Sequence, residues 1–252
     1  MKCGLYNFNT SFRKSISDKD IDGFEHAKQH FSDCYLMTTM ETLSHTQNGR
    51  EVLKEQIQYD DNNPDLINCY LYNKNGEKEK YTVPAKMALQ GYEKVYNNQP
   101  NEIIRAMDIS VDQFEKKHKA KPLVCKIADT FNDYSFEKNL PSHFMKTLTG
   151  IEPRVIAEKD FNMDLTGYKE QVMQLFERMD KEKEHSFLIG TGFKMLDSRV
   201  WHVYILEDVD LKNNTVTVKE KRSNRPRTMS IDAALNTFKY IVGYFDKDLK
   251  KN

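Results

Sequence analysis

The stretch Gln29-His30-Phe31-Ser32-Asp33-Cys34-Tyr35-Leu36-Met37-Thr38-Thr39-Met40-Glu41-Thr42-Leu43 holds the turn and the helix around which the rest of the chain is organised. Its polar first part predicts a turn, and Leu36, Met40 and Leu43 then follow the i, i+4, i+7 spacing of one helix face. Cys34 therefore falls in the first turn of a buried helix. The N–H groups and positive dipole end of a helix start favour a thiolate. Cys34 is thus a candidate nucleophile, and the alternative is a small buried hydrophobic residue, the usual role of a free cysteine.

A second candidate lies far downstream, in the segment Trp201-His202-Val203-Tyr204-Ile205-Leu206. This pattern is typical of a buried strand that carries one histidine at its start. A nucleophilic cysteine needs a base within hydrogen-bond reach, which is usually a histidine from a distant part of the chain. We therefore expect the fold to bring Cys34 and His202 together.

These two segments resemble those of the papain-like cysteine peptidases, and within them the calpain-like branch. That branch typically reads Gln…Gly-Asp-Cys-Trp/Tyr-Leu and Gly-His-Ala-Tyr, and the matching residues here are Gln29…Asp33-Cys34-Tyr35-Leu36 and His202-Val203-Tyr204. Between them, residues 101–114 and 144–150 are similar to an interior helix and a Leu-Thr-Gly segment of the branch. The resemblance covers most of residues 25–245, and the two motifs are its specific part.

The resemblance implies a role for each matching residue. Cys34 would be the nucleophile, and His202 would take the thiol proton and later donate it to the leaving group. The backbone N–H of Cys34 and the side chain of Gln29 would form an oxyanion hole. Here the sequence departs from the family, because the family glutamine lies six residues before the cysteine. Gln29 lies five before, and Lys28 takes the sixth place.

The residue that orients the histidine has two candidates. The family uses the Asn of an Asn-Pro-Trp motif just after the strand that follows the histidine strand. In this chain that strand is predicted to end at Lys219-Glu220, and no Asn-Pro-Trp follows. Alternation along the strand favours Glu220, whereas side-chain chemistry and the nearby Pro226 favour Asn224. Both stay open, and Asn224 is preferred.

Composition limits the possible partners. The chain has 252 residues, with 38 Lys plus Arg and 38 Asp plus Glu, so its net charge is zero. Nothing in this balance favours nucleic acid or an anionic membrane surface. No apolar run approaches the ~20 residues that span a bilayer, and residues 1–8 lack the apolar core of a signal peptide. We expect a protein or peptide substrate, no nucleic-acid or membrane partner, and a location in the cytoplasm or export without a conventional signal peptide.

The sequence predicts neither a metal site nor a cofactor. Its four cysteines are widely spaced, without a Cys-x-x-Cys pair, which is typical of reduced thiols. His26 and His30 are four residues apart, but no further ligand completes a zinc site. The acidic turn of residues 208–214 lacks the closing bidentate Glu of a calcium loop.

The change in hydrophobic period along the chain predicts an α+β fold. Helical spacing dominates up to about residue 185, apart from a β-hairpin around Asn75-Gly76, and alternation dominates afterwards. We expect a flexible leader at 1–20, a mainly helical lobe with one hairpin at 21–185 and a β-rich lobe at 186–252, forming one catalytic domain. The resemblance implies the papain-like two-lobe arrangement, with the cysteine on the helical lobe and the histidine on the antiparallel sheet.

The function expected from these observations is that of a calpain-like cysteine endopeptidase acting through an acyl-enzyme. The same Cys-His pair can serve a transglutaminase or a deamidase. The departures at Gln29 and at the Asn-Pro-Trp position also leave open a calpain-like binding module without activity.

Overall fold

The computed structural model describes residues 15–26, 34–89, 102–118, 140–157, 165–191, 202–221 and 223–250, and the statements below concern these residues. Helices α1 to α8 span Asp18–His26, Cys34–Ser44, Gln47–Gln56, Ala85–Leu89, Glu102–His118, Leu140–Thr149, Leu165–Lys181 and Ile231–Thr237. Strands β1 to β9 span Ile57–Tyr59, Leu66–Tyr72, Lys78–Pro84, Arg154–Ala157, His185–Thr191, Val203–Asp210, Thr215–Glu220, Arg225–Ser230 and Phe238–Phe245. A 3₁₀ helix covers Asp246–Leu249. The predicted α+β class is confirmed.

The strands form two antiparallel sheets. The smaller sheet has the order β1-β2-β3, and the larger has the order β4-β9-β5-β6-β7-β8. The hairpin of β2 and β3 was predicted from its alternating residues and its Asn-Gly turn, where Gly76 has the positive φ of 78° that glycine adopts readily. No described helix is long and apolar enough to cross a membrane.

Helix α2 is buried on all sides against the larger sheet. The predicted stripe of Leu36, Met40 and Leu43 packs in one core with Leu188 and Ile205 of the sheet. Yet the polar residues of the helix are buried too: Thr38, Thr39, Glu41 and Thr42 are all at most 1% exposed. The helix therefore lies inside the protein, although its sequence predicts only one buried face.

Helices α7 and α8 cover the opposite face of the larger sheet. Val172, Phe176 and Met179 of α7 pack with Phe187 and Val218 of the strands in a second core. The predicted lobe boundary at residue 185 therefore separates α7 from the sheet that it covers. The spacing of the apolar residues changes near residue 185 because a helix is followed by a strand. The second core contains residues from both sides of this boundary.

The predicted leader ends earlier than residue 20. Ile16 is buried in the first core, and α1 begins at Asp18, where the Ser17 hydroxyl and the Asp20 carboxylate exchange hydrogen bonds with each other's backbone N–H. The sequence predicts a flexible segment here because this capping pair lies among polar residues typical of a loop. Residues 1–14 lie outside the described part.

Strands β1, β4 and β8 are absent from the predicted elements. Each is short or at an edge of its sheet, and β8 in particular runs through Arg225, Pro226 and Arg227 with little burial. It shows no alternation of apolar residues, so pairing with β7 defines it. Its proline is tolerated because an edge strand needs fewer N–H donors.

Candidate active site

The site centres on a contact between His202 and Glu220. The His202 Nε2 atom lies 3.0 Å from the Glu220 Oε1 atom. The distance is that of an ion pair, although the line between the atoms does not meet hydrogen-bond geometry at Nε2. The two side chains are 26% and 20% exposed, so both reach solvent at the rim of the sheet. A half-exposed imidazole next to a carboxylate is an arrangement suited to proton transfer.

The position of His202 is fixed by its backbone and its ring. Its N–H donates to the Thr191 hydroxyl at 3.1 Å, and its carbonyl accepts from the Thr191 N–H at 3.1 Å. Its ring meets the Tyr204 ring edge to face, with centroids 4.9 Å apart. His202 is therefore held just before β6, beside the last residue of β5.

Glu220 reaches His202 because of the register between β6 and β7. Glu220 is the last residue of β7 and stands opposite Tyr204, so these two side chains share one face of the sheet. His202 precedes Tyr204 by two residues and lies on the same side. Strand alternation, which favoured Glu220 in the sequence, identifies the residue that contacts the histidine.

The preferred candidate Asn224 does not contact His202. It adopts the left-handed conformation with φ of 52°, and its N–H donates to the Glu220 carbonyl at 2.8 Å. Asn224 thus closes the turn between β7 and β8, where asparagine tolerates a conformation that most residues avoid. Its Oδ1 atom is buried without a hydrogen bond to any described residue. This geometry favours Glu220 over the preferred Asn224 as the residue that orients His202, and the choice between them stays a prediction.

The other predicted residues lie partly outside the described part of the chain. Cys34 is the first residue of α2, as predicted, but its side chain is not described. Gln29 and Trp201 fall outside the described residues. Tyr35 packs edge to face on Phe144 with ring centroids 5.6 Å apart, so it joins α2 to α6.

Polar contacts show how α2 crosses the sheet. The Ser186 hydroxyl of β5 donates to the Thr42 carbonyl at 2.9 Å and lies 3.3 Å from the Thr46 hydroxyl. One residue before Thr42, Glu41 accepts a hydrogen bond from Lys219 at 2.8 Å. The C-terminal half of α2 therefore lies at Ser186, and its middle reaches β7.

The register of the sheet shows in which direction α2 runs relative to the strands. Lys219 stands opposite Ile205, and Ile205 stands opposite Leu188. Leu188 is two residues beyond Ser186 along β5, towards the strand end beside His202. From its last residue to its first, α2 therefore runs towards the end of the sheet where His202 lies.

The sequence reasoning missed a buried charge cluster formed by Glu41, Lys219 and Lys221. Glu41 and Lys221 have side chains that are 0% exposed, and Lys219 is 6% exposed. The Lys219 ammonium binds one carboxylate oxygen of Glu41 at 2.8 Å, and the Lys221 ammonium binds the other. A glutamate in the middle of a helix without basic residues, and lysines at alternate positions of a strand end, were signals in the sequence. Local pattern cannot pair residues so far apart in the chain.

Lys221 extends the cluster to α1. Its ammonium donates to the carbonyls of Phe24 at 2.6 Å and Glu25 at 3.1 Å, near the end of that helix. Carbonyls in the last turn of a helix have no partner within the helix, and a buried cation can satisfy them. Burial lowers the pKa of Lys221, and the Glu41 carboxylate opposes that shift. The cluster therefore joins α1, α2 and the end of β7.

Cys69 provides a contrast to Cys34. It lies in β2, fully buried, and burial raises the pKa of its thiol to about 12. A thiol of this kind is unreactive at neutral pH. Among the described residues, no group of three or more His, Cys, Asp and Glu side chains could hold a metal ion.

Comparison with models of known protein families finds no match, and comparison with curated proteins finds none either. The interpretation of the site therefore depends on its residues and their geometry.

Proposed function

We propose that this chain is a calpain-like cysteine endopeptidase with a Cys34-His202-Glu220 triad on a papain-like two-lobe fold. The observation that carries the proposal is the His202–Glu220 contact at the rim of the sheet. It lies at the end of the sheet towards which the start of α2 points. A strand-borne histidine oriented by an acidic group is the base that a helix-borne thiol requires.

The lengths of helix and strand support the pairing of Cys34 with His202. From Glu41 back to Cys34 the helix covers seven residues, about 10 Å at the rise of an α-helix. From Leu188, which is level with Lys219, to Thr191 the strand covers three residues, about 10 Å at the rise of a strand. The start of α2 is thus expected at the level of Thr191, and Thr191 is bonded to the backbone of His202.

The proposed chemistry gives each residue one task. The Cys34 sulfur attacks the carbonyl carbon of a peptide bond, and its proton passes to His202 Nδ1. The tetrahedral intermediate collapses when the imidazolium gives that proton to the leaving amine, which leaves a thioester on Cys34. His202 then takes a proton from water as the oxygen attacks the thioester carbon, and the imidazolium returns that proton to the departing Cys34 sulfur, which frees the acid product and regenerates the thiol. The Glu220 carboxylate, 3.0 Å from Nε2, orients the ring and stabilises the imidazolium by its charge.

Negative charge develops on the carbonyl oxygen during attack on the peptide bond and again during attack on the thioester. Hydrogen-bond donors are needed to stabilise it. The backbone N–H of Cys34, at the start of α2, is one proposed donor. Gln29 remains the second candidate on the basis of the family resemblance. The zero net charge of the chain agrees with a protein or peptide substrate rather than a nucleic acid.

The direct test is covalent labelling of Cys34. Wild-type protein is treated with an epoxysuccinyl thiol-peptidase inhibitor and measured by intact mass, beside Cys34→Ala and Cys69→Ala. We expect one adduct on wild type and Cys69→Ala and none on Cys34→Ala, because the Cys69 thiol is buried and its pKa is raised. Alkylation with iodoacetamide and peptide mapping gives the rates. If Cys34 reacts no faster in the folded protein than in the urea-unfolded chain, the activated thiolate is disproved.

The products distinguish the alternatives that share the Cys-His pair. Incubation with a protein substrate followed by mass spectrometry should yield fragments from hydrolysis of peptide bonds. A gain of ~1 Da without cleavage would instead identify a deamidase, since one side-chain amide becomes an acid. Cross-linked products would identify a transglutaminase. A fast-reacting Cys34 without any product would support the binding module.

A further inference from the structure

Lys221 lies on the opposite side of the strand end from Glu220. Successive side chains of a strand point to opposite faces, so Glu220 meets His202 while Lys219 and Lys221 meet Glu41. The residue that orients the histidine is therefore flanked in sequence by two lysines whose ammonium groups are buried. Whatever fixes those lysines also fixes the backbone that carries Glu220.

The Lys221 ammonium is bound to two elements of the fold, α1 and α2, and its backbone directly follows a third. It contacts the Glu41 carboxylate in α2 and the carbonyls of Phe24 and Glu25 in α1, and its own backbone follows the last residue of β7. Glu41 lies two helical turns after Cys34. The Nζ atom thus links the helix that begins with the proposed nucleophile to the strand end that carries the proposed orienting residue.

Lys219 binds the same carboxylate, but its contact with α1 is a longer ion pair to the Glu25 side chain rather than hydrogen bonds to backbone carbonyls. Its ammonium lies 2.8 Å from Glu41 and 3.8 Å from the half-exposed carboxylate of Glu25. Both lysines are buried and bind the same carboxylate, so loss of either removes one cation from the cluster. The chain therefore contains a matched pair of residues that differ in whether their ammonium groups donate hydrogen bonds to the α1 backbone.

We propose that Lys221 is a positioning residue of the active site, which sets the distance between α2 and the strand end carrying Glu220. The catalytic role of Lys221 rests on the proposed function. Its structural role is to fix the position of the His202–Glu220 pair. A buried lysine is costly to desolvate, and apolar residues of similar size usually replace such pairs without loss of stability. Its bonds to α1 and α2 tie both helices to its own backbone at the end of β7, which a purely apolar side chain cannot do.

The test compares Lys221→Met with Lys219→Met in the full chain. Methionine keeps the length and apolar stem of the side chain and removes the ammonium. Both variants should unfold at lower temperature than wild type. Below those temperatures, we expect Lys221→Met to change the ring ¹⁵N shifts of His202, which report its contact with Glu220, and Lys219→Met to leave them close to wild type.

Turnover provides the second readout. In the proposed peptidase assay, Lys221→Met should lower kcat at least about tenfold with KM changed less than about twofold, since catalytic geometry changes and substrate contacts do not. Lys219→Met should retain kcat within about threefold. Unchanged His202 signals in folded Lys221→Met, or equal effects of both variants, would overturn the inference.

The two proposals fail in different ways. If wild type shows no Cys34-dependent product, the proposed function fails, and the His202 signals still test the role of Lys221. If Lys221→Met does not fold, Lys221→Arg replaces it in the comparison. Arginine keeps the charge but cannot place a single ammonium on the carboxylate and both carbonyls, so the His202 shifts should still move. Wild-type shifts in that folded variant would also overturn the inference.

Discussion

The end of β7 presents charged side chains to two different environments. On one side, Glu220 meets His202 at a rim where both side chains reach solvent. On the other, Lys219 and Lys221 meet Glu41 in the interior. The rim pair is partly open to solvent, whereas the buried charge cluster is closed to it. Under the proposed function, this difference in exposure assigns proton transfer to the rim pair and the joining of α1, α2 and β7 to the buried cluster.

The largest expected effect is on turnover at the rim. Glu220→Ala should lower kcat by about 10²- to 10⁴-fold, because the imidazole loses the group that orients it. Asn224→Ala is the control, since Asn224 closes a turn and does not contact His202. Steady-state kinetics with circular dichroism of both variants measures this contrast. A greater loss in Asn224→Ala would return the orienting role to that residue, and full activity in both would place it elsewhere.

The next effect concerns the stability of the buried charge cluster. Glu41→Ala should lower the free energy of unfolding by about 3–5 kcal/mol, because two buried ammonium groups lose their carboxylate. Glu51 pairs with Lys54 on the surface and is 52% exposed, so Glu51→Ala should cost less than about 1 kcal/mol. Urea unfolding of both variants gives the values. Equal losses would show that burial does not distinguish the two kinds of pair.

A buried histidine without a close counter-charge should make stability depend on pH. Burial of His185 lowers its pKa to about 4; Asp208 opposes that shift, whereas Lys183 and His45 add to it. The neutral form is favoured in the folded state, so the contribution to stability is complete above pH 6.5 and is lost as the pH falls from 6.5 to about 4. The loss should reach at most about 3 kcal/mol.

Denaturant unfolding at several pH values tests this expectation. His185→Gln should flatten the decline between pH 6.5 and 4, whereas His26→Gln, at the exposed end of α1, should leave it as in wild type. An unaltered decline in His185→Gln would assign the pH dependence to other groups.

The smallest expected effect is on stability, and it tests the role of Asn224 in the turn between β7 and β8. Asn224 has φ of 52°, so Asn224→Ala should destabilise the protein by about 1 kcal/mol, the usual penalty for alanine in this region. Asn224→Gly should have little effect, because glycine adopts this conformation freely. Thermal unfolding measures both, and a large loss in the glycine variant would indicate that the buried Oδ1 atom contributes to stability.

Local patterns in the sequence determined many of the elements. The start of α2 at Cys34, its end at Ser44 and the hairpin follow from short-range periodicity and turn residues. The stop of α6 before Gly150, with φ of 74°, is equally local. The choice of Cys34 and His202 as candidates came from residue chemistry and the family resemblance. Their side-chain contact stays a prediction.

The tertiary structure alone decided which charged residues meet. Glu220 contacts His202 because of the register between β6 and β7, whereas the backbone of Asn224 closes the turn after β7. Glu41 and Lys221 are far apart in the chain and become neighbours only when α2 packs on the sheet. The sequence pattern indicates which side of a helix or strand is apolar, whereas the partner of a buried charge depends on packing between distant elements. That is why the sequence proposed the two catalytic candidates but could not reveal the residues that hold them in place.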